Sequence, residues 1–174
     1  MKALIAGVGN IFLTDDGFGP AVLEQLAGRT WPAGVTATDF GIRGVHLAYE
    51  LLDGYDVLIV VDAAPRGSAA GTVSLIEVDP ATAAEPTDGP LLDAHGMEPV
   101  AVLRSLSSLG GSVGRVFVVA CEPTHTDEGM GLSDAVAAAI PAAVSVLEQL
   151  VCDLTGRSIG PSSAACMHAA TREV

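Results

Sequence analysis

The sequence predicts a single α/β domain: three layers, α/β/α, around a twisted, mostly parallel five-stranded sheet that includes one antiparallel strand. Three observations carry this expectation. The 174 residues are 49% hydrophobic but only 4% aromatic, so Ala, Val and Leu must fill the core, and 20 glycines and 10 prolines punctuate the chain. Short apolar runs such as VLIVV and RVFVVA alternate with segments of helical pattern. One link between strands, APRGSAAG, is too short for a parallel return.

The elements follow in order. Residues 2–8 are continuously apolar and stop at glycine, as a buried strand does. Residues 17–27 form a helix with Pro20 in its first turn, where a missing N–H costs nothing; Val22, Leu23 and Leu26 give it a core face and Gly28 ends it. Residues 35–40, VTATDF, alternate and are β-branched, which makes a second strand. A short helix over 45–52 closes at Asp53-Gly54, and VLIVV at 57–61 is a third strand ending at Asp62. A parallel return needs roughly a dozen residues, so the next strand, 72–78, is antiparallel. Residues 79–93, rich in Pro, Ala and Thr, read as a long surface loop. His95 closes that loop before a helix from about 97 to 109, with Pro99 in its first turn. Residues 115–120 are the last strand, CEPTHTDEGMG is a loop, and Ser133 is the N-cap of a final helical region that Pro141 should kink or split. The domain is expected over 1–154, with a small, polar, mobile tail over 155–174.

Charge excludes whole classes of function. Eight Lys and Arg against 21 Asp and Glu leave a formal net charge of −13. Phosphate contacts dominate nucleic-acid affinity, so no nucleic acid is expected, and anionic membrane surfaces are disfavoured in the same way. No apolar run approaches the ~20 residues that span a bilayer. Cys121, Cys152 and Cys166 are sparse, odd in number and form no CxxC, and the start of the chain lacks a secretory pattern. Together these argue for a reducing cytoplasm.

The chemistry concentrates in GVGNIFLTDDGFG, residues 7–19. A dinucleotide fingerprint needs glycine where Phe12 stands, and a phosphate loop needs Lys followed by Ser or Thr, which is missing. Two carboxylates there would also repel a pyrophosphate, so no nucleotide is expected. Asp15 reads as a helix cap and Asp16 as the functional acid. Each of the first three strands delivers an acid to the carboxyl edge of the sheet, where open α/β sheets bind ligands: Asp16, Asp39 and Asp62. A carboxylate ending a buried strand needs a counter-charge, for which Arg43, Arg66 or a metal would serve. His95 is the natural third member, because two carboxylates and an imidazole can hold Zn, Ni or a similar ion. His46 lies within a helix and His168 in the tail. A second chemistry would pair Cys121 with His125, oriented by Glu122 and Asp127, as a thiol hydrolase; free cysteines are more often buried and inert.

GVGNIFLTDDGFG near the start, VVDA after a hydrophobic strand, a histidine opening a helix, and EGMGLSDAV together resemble the hydrogenase maturation endopeptidases, from residue 1 to about 150. The resemblance implies a twisted mixed sheet between helices. It also implies a protease that removes the C-terminal extension of a nickel-iron hydrogenase large-subunit precursor once nickel has been inserted. Its metal contacts fall on Asp16, Asp62 and His95, which are then the catalytic candidates too. Relatives often carry glutamate at the first position, one methylene longer than Asp16. The nickel would be carried by the protein substrate and checked before the peptide bond is cut, by an aspartic-type or metal-assisted route. The turn DFGIRG, 39–44, matches a glycine-rich turn of the family, so Asp39, Gly41 and Arg43 are candidate substrate contacts. A non-catalytic nickel-sensing or nickel-delivery chaperone using the same ligands is the competing expectation. The protein is expected to act in the cytoplasm as a monomer or weak homodimer.

Overall fold

The computed structural model describes residues 1–83 and 99–156. Five strands, β1 (Ala3–Val8), β2 (Val35–Gly41), β3 (Val57–Ala63), β4 (Val73–Val78) and β5 (Arg115–Cys121), form one sheet in the order β2-β1-β3-β5-β4. β1 lies parallel between β2 and β3, β3 and β5 are parallel, and β4 is antiparallel to β5. The short link therefore does reverse the chain, but it carries β4 past β5 to the sheet edge.

Alternation along the strands divides the core in two. Ile5, Ile59, Val61, Phe117 and Val119 face α1 (Phe18–Gln25) and α5 (Asp134–Thr155). Leu4, Leu58, Val60 and Val118 face α2 (Gly44–Leu51) and α4 (Pro99–Ser108). Both sheet faces are covered, which is why these strands read as unbroken apolar runs. At the top of the first layer α1 sits directly on the strand ends. A Cβ on Gly19 would stand 2.1 Å from the Val8 carbonyl oxygen and 2.4 Å from that of Val61, so only glycine permits this approach.

Three expectations are corrected. Pro141 does not split the last helical region: α5 is a single helix of 22 residues running through it. Proline removes one helical hydrogen bond at a cost of about 3 kcal/mol. The apolar face of α5, with Val136, Ala139, Ala143, Val144, Leu147, Leu150 and Val151 all buried, offsets that cost. Read through its proline, the same helix is long and apolar enough to cross a membrane, contrary to the expectation that no run approaches that length. Here its buried face packs on the sheet beside α1. The segment after β4 is also less irregular than expected: Pro80–Ala83 forms a one-turn helix, α3, with the Ala81 N–H donating to Asp79 Oδ1 at 3.0 Å. His95, the residues just before α4, and the expected tail from residue 157, with Cys166 and His168, lie outside the described residues.

Candidate functional site

The site is built on the carboxyl edge of β2, β1 and β3. Register places Asp39 beside Gly7 and Gly7 beside Val61, with Asp62 the next residue of β3. From β1 the chain leaves towards β2, and from β3 it leaves towards the other side of the sheet. The β1–β3 boundary is thus a topological switch point, where a crevice opens in such sheets.

The turn after β1 aims Asp16. Gly9 has φ of +130°, and a Cβ there would come within 1.8 Å of the Asp16 carbonyl oxygen. Gly9 N–H donates to the Gly41 carbonyl at 3.1 Å, and Asn10 N–H donates to Asp16 Oδ2 at 2.6 Å. A 3-10 turn, Thr14–Gly17, then leads into α1. Gly9→Ala combines a disallowed φ with a backbone collision, and such strain costs roughly 1–3 kcal/mol or more. It should lower the melting temperature and shift the Asn10 and Asp16 amide resonances; an unchanged spectrum would show that the turn does not need glycine.

The neighbouring turn, DFGIRG, is closed by its own side chains. Asp39 Oδ1 accepts the Gly41 N–H at 2.8 Å, and Gly41 has φ of +52°. Arg43 donates from Nε to the Phe40 carbonyl at 3.0 Å and from Nη2 to that of Asp39 at 2.8 Å. The guanidinium expected as a counter-charge thus also braces the turn, with Asp39 and Arg43 both exposed.

Asp15 differs most from its expected role. It does not cap its own helix; it is fully buried and ties the β1 loop to the loop after β5. Its Oδ2 accepts the Thr124 N–H at 2.7 Å, the His125 N–H at 3.3 Å and the Ser133 hydroxyl at 2.9 Å, while Oδ1 accepts the Ser133 N–H at 2.7 Å. Burial pushes its carboxyl up, but these four donors outweigh it and hold the pKa below the ordinary value. Ser133 does occupy the N-cap position of α5, yet its hydroxyl serves Asp15 and Thr124 instead of the helix. Next to this latch, Thr14 takes φ of 45°, the one non-glycine residue at positive φ among the described residues. Its hydroxyl meets His125 Nδ1 at 3.1 Å, and its N–H donates to the Gly129 carbonyl at 3.1 Å. The EGMGLSDAV segment therefore buttresses the acid loop, a role its sequence alone did not suggest.

The thiol chemistry does not survive. Cys121 is fully buried, and burial, with the charges of Asp15 and Glu122, pushes its thiol up to about 11. Glu122 orients no histidine. Its carboxylate accepts the N–H groups of Arg66, Gly67 and Ser68 and so clamps the link into β4. Burial works against that carboxylate, but the three N–H donors still hold its pKa below the ordinary range.

Among the described residues no three His, Cys, Asp or Glu side chains gather to hold a metal. Asp16, in the 3-10 turn after β1, and Asp62, near the end of β3, are both half-buried, and the third expected ligand, His95, lies outside the described residues. Around them the loops expose Ile11, Phe12, Ile42 and Met130 (49%, 60%, 65% and 75% exposed), an apolar rim on a strongly acidic protein.

Known proteins share this architecture. The E. coli hydrogenase maturating endopeptidase HybD superposes with a TM-score of 0.77 at 27% identity, over 95% of this chain and 100% of that one. A candidate hydrogenase maturation protease of Methanocaldococcus jannaschii is 33% identical over 149 residues, 83% of this chain and 92% of its own. The coenzyme F420 hydrogenase subunit delta of Methanothermobacter thermautotrophicus is 30% identical, over 84% of this chain and 92% of its own. The family model for hydrogenase maturation protease matches residues 20–150. With that match over most of its length, the chain belongs to the hydrogenase maturation protease family.

Proposed function

We propose that this protease removes the C-terminal extension of a nickel-iron hydrogenase large-subunit precursor after nickel insertion. One observation supports the reading: Asp62 lies at the carboxyl end of β3, and Asp16 in the 3-10 turn that follows the adjacent parallel strand β1, at the switch point of a protease-family chain. An ionised carboxylate offers about four acceptor sites, and the Asn10 N–H takes one of those on Asp16. Oxygen donors of this kind, joined by the imidazole of His95, suit nickel presented by the precursor. The nickel then serves as the mark of a finished substrate. An acid beside it takes the proton of the attacking water as the peptide bond is cut. The braced turn of Asp39, Gly41 and Arg43 flanks the crevice and is the reading's second contact surface for the precursor.

The test is incubation of the purified protein with nickel-loaded and nickel-free precursor of its cognate large subunit. Shortening of the loaded precursor alone supports the reading. Full-length precursor in both tubes would sink it and favour a nickel-delivery role. In the same assay Cys121→Ser should cut at close to the wild-type rate, because a thiol with a pKa of about 11 is not a nucleophile at neutral pH. Loss of cleavage in a folded Cys121→Ser would reopen thiol chemistry.

A further inference from the structure

The crevice continues into a cleft of about 660 Å³ that runs down between α1 and β2. Its walls include Pro20, Ala21 and Glu24 of α1, Trp31, and Ala37 and Asp39 of β2. Its upper end reaches Ile11 and Thr14 in the loop that carries Asp16. β2 is the last strand on this side, and among the described residues nothing pairs with its outer edge. Edge strands are ordinarily guarded by lysine, proline or a bulge. From Val35 to Asp39 β2 has no lysine or proline and keeps regular register with β1. The opposite edge strand, β4, carries the exposed Glu77, ion-paired with Arg115 of β5, and lies three strands away from β1.

We propose that the outer edge of β2 and its cleft receive an extended segment of the substrate polypeptide, added to the sheet as a further strand, with apolar and basic residues at the alternate positions that face the cleft. Main-chain hydrogen bonds to an edge strand supply affinity, and alternate side chains read the pockets beside it. Ala37 packs on the α1 side of the sheet and Phe40 on the other, so every second side chain of an added strand would point over the cleft. The cleft is apolar at Pro20, Ala21, Trp31 and Ala37. It is acidic at Glu24 and Asp39, while Arg29, also in its wall, is engaged by Glu148. Those acids, on a chain of net charge −13, select Lys or Arg over acidic residues. A segment lying there reaches Thr14 and Gly17, the ends of the turn that carries Asp16. The inference rests on the protease reading for the identity of its occupant.

Trp31 is the only tryptophan of the chain and lines the cleft, so its emission reports occupancy without a label. A Val/Lys peptide about twelve residues long, repeating Val-Thr-Lys-Thr so that Val and Lys share one face, should shift that emission saturably and slow amide exchange in β2. A Val/Glu peptide should do neither. Ala37→Phe, which fills the cleft wall, should weaken peptide binding at least about tenfold and raise KM for the nickel-loaded precursor by a similar factor. Glu24→Lys should weaken the Val/Lys peptide alone. The proposal is overturned if the Val/Lys peptide leaves Trp31 emission and β2 exchange unchanged, or if folded Ala37→Phe binds as tightly as the wild type. Protection of β2 that rises with protein concentration and without peptide overturns it in favour of a second copy of the chain. Precursor cut normally with β2 unprotected removes this inference and leaves the protease reading standing. Peptide bound at β2 while loaded precursor stays whole removes the protease reading instead.

Discussion

Asp16→Asn should reduce cleavage of nickel-loaded precursor by roughly 10²–10⁴-fold, the range attached to a positioned acid or base. The substitution keeps the shape of the side chain, and the asparagine carbonyl can still accept the Asn10 N–H that Asp16 now receives at 2.6 Å. Only the charge and half of the acceptor capacity go. The half-buried site lies outside the core, so the melting temperature should move by no more than ~2 °C. On the nickel reading Asp62→Asn should behave alike, because one carboxylate then cannot replace the other. Asp39→Asn should cost less, since its Oδ1 closes the turn at Gly41 and an amide oxygen can do the same. The measurement is the ratio of mature to precursor large subunit over time. Wild-type cleavage by a folded Asp16→Asn protein would remove this residue from the chemistry and with it the nickel-reading scheme.

The largest loss of stability should come from Asp15→Ala. Four hydrogen bonds from three residues vanish, and donors that met a carboxylate lose their partner. Leaving buried donors unmet costs about 1–3 kcal/mol each, so about 3 kcal/mol in all is a modest figure. For a chain of this size that lowers the melting temperature by roughly 6–12 °C. The acidic limb of the stability curve supplies an independent check. The folded pKa values of Asp15 and Glu122 lie below the ordinary 3.8 and 4.5. Each therefore adds stability that is fully present above its ordinary value and is lost as pH falls through the lower folded one. Stability should hold down to about pH 5 and decline below it, and Asp15→Asn should flatten the most acidic part of that decline. A parallel decline in wild type and variant would show that Asp15 carries no linked proton.

Much of the sheet was legible because its signals are local. VLIVV is buried on both faces and reads so, and eight residues from Ala64 to Gly71 leave no room for a crossover helix. Asp62 stood out for the same reason, as an acid at the end of an apolar run. Asp15 was not legible, because its partners lie 109–118 positions away and nothing near it announces them. Glu122 was misread for a similar reason: beside Cys121 and His125 it resembles part of a thiol site, whereas its three donors come from the link before β4. Pro141 shows the opposite failure. A sound local rule predicted a break, and the buried face of α5 overrode it.

The latch at Asp15 also orders events in time. Closing a chain segment of that length costs roughly 4 kcal/mol beyond a constant, so contacts this distant form late in folding. On the ribosome Asp16, Asp39 and Asp62 are all made before Thr124, His125 and Ser133. The loop bearing Asp16 finds its anchor only once Thr124, His125 and Ser133 have followed. A nascent or truncated chain that stops short of Ser133 thus carries the acids without an aimed loop, and the crevice takes shape only after that residue is in place.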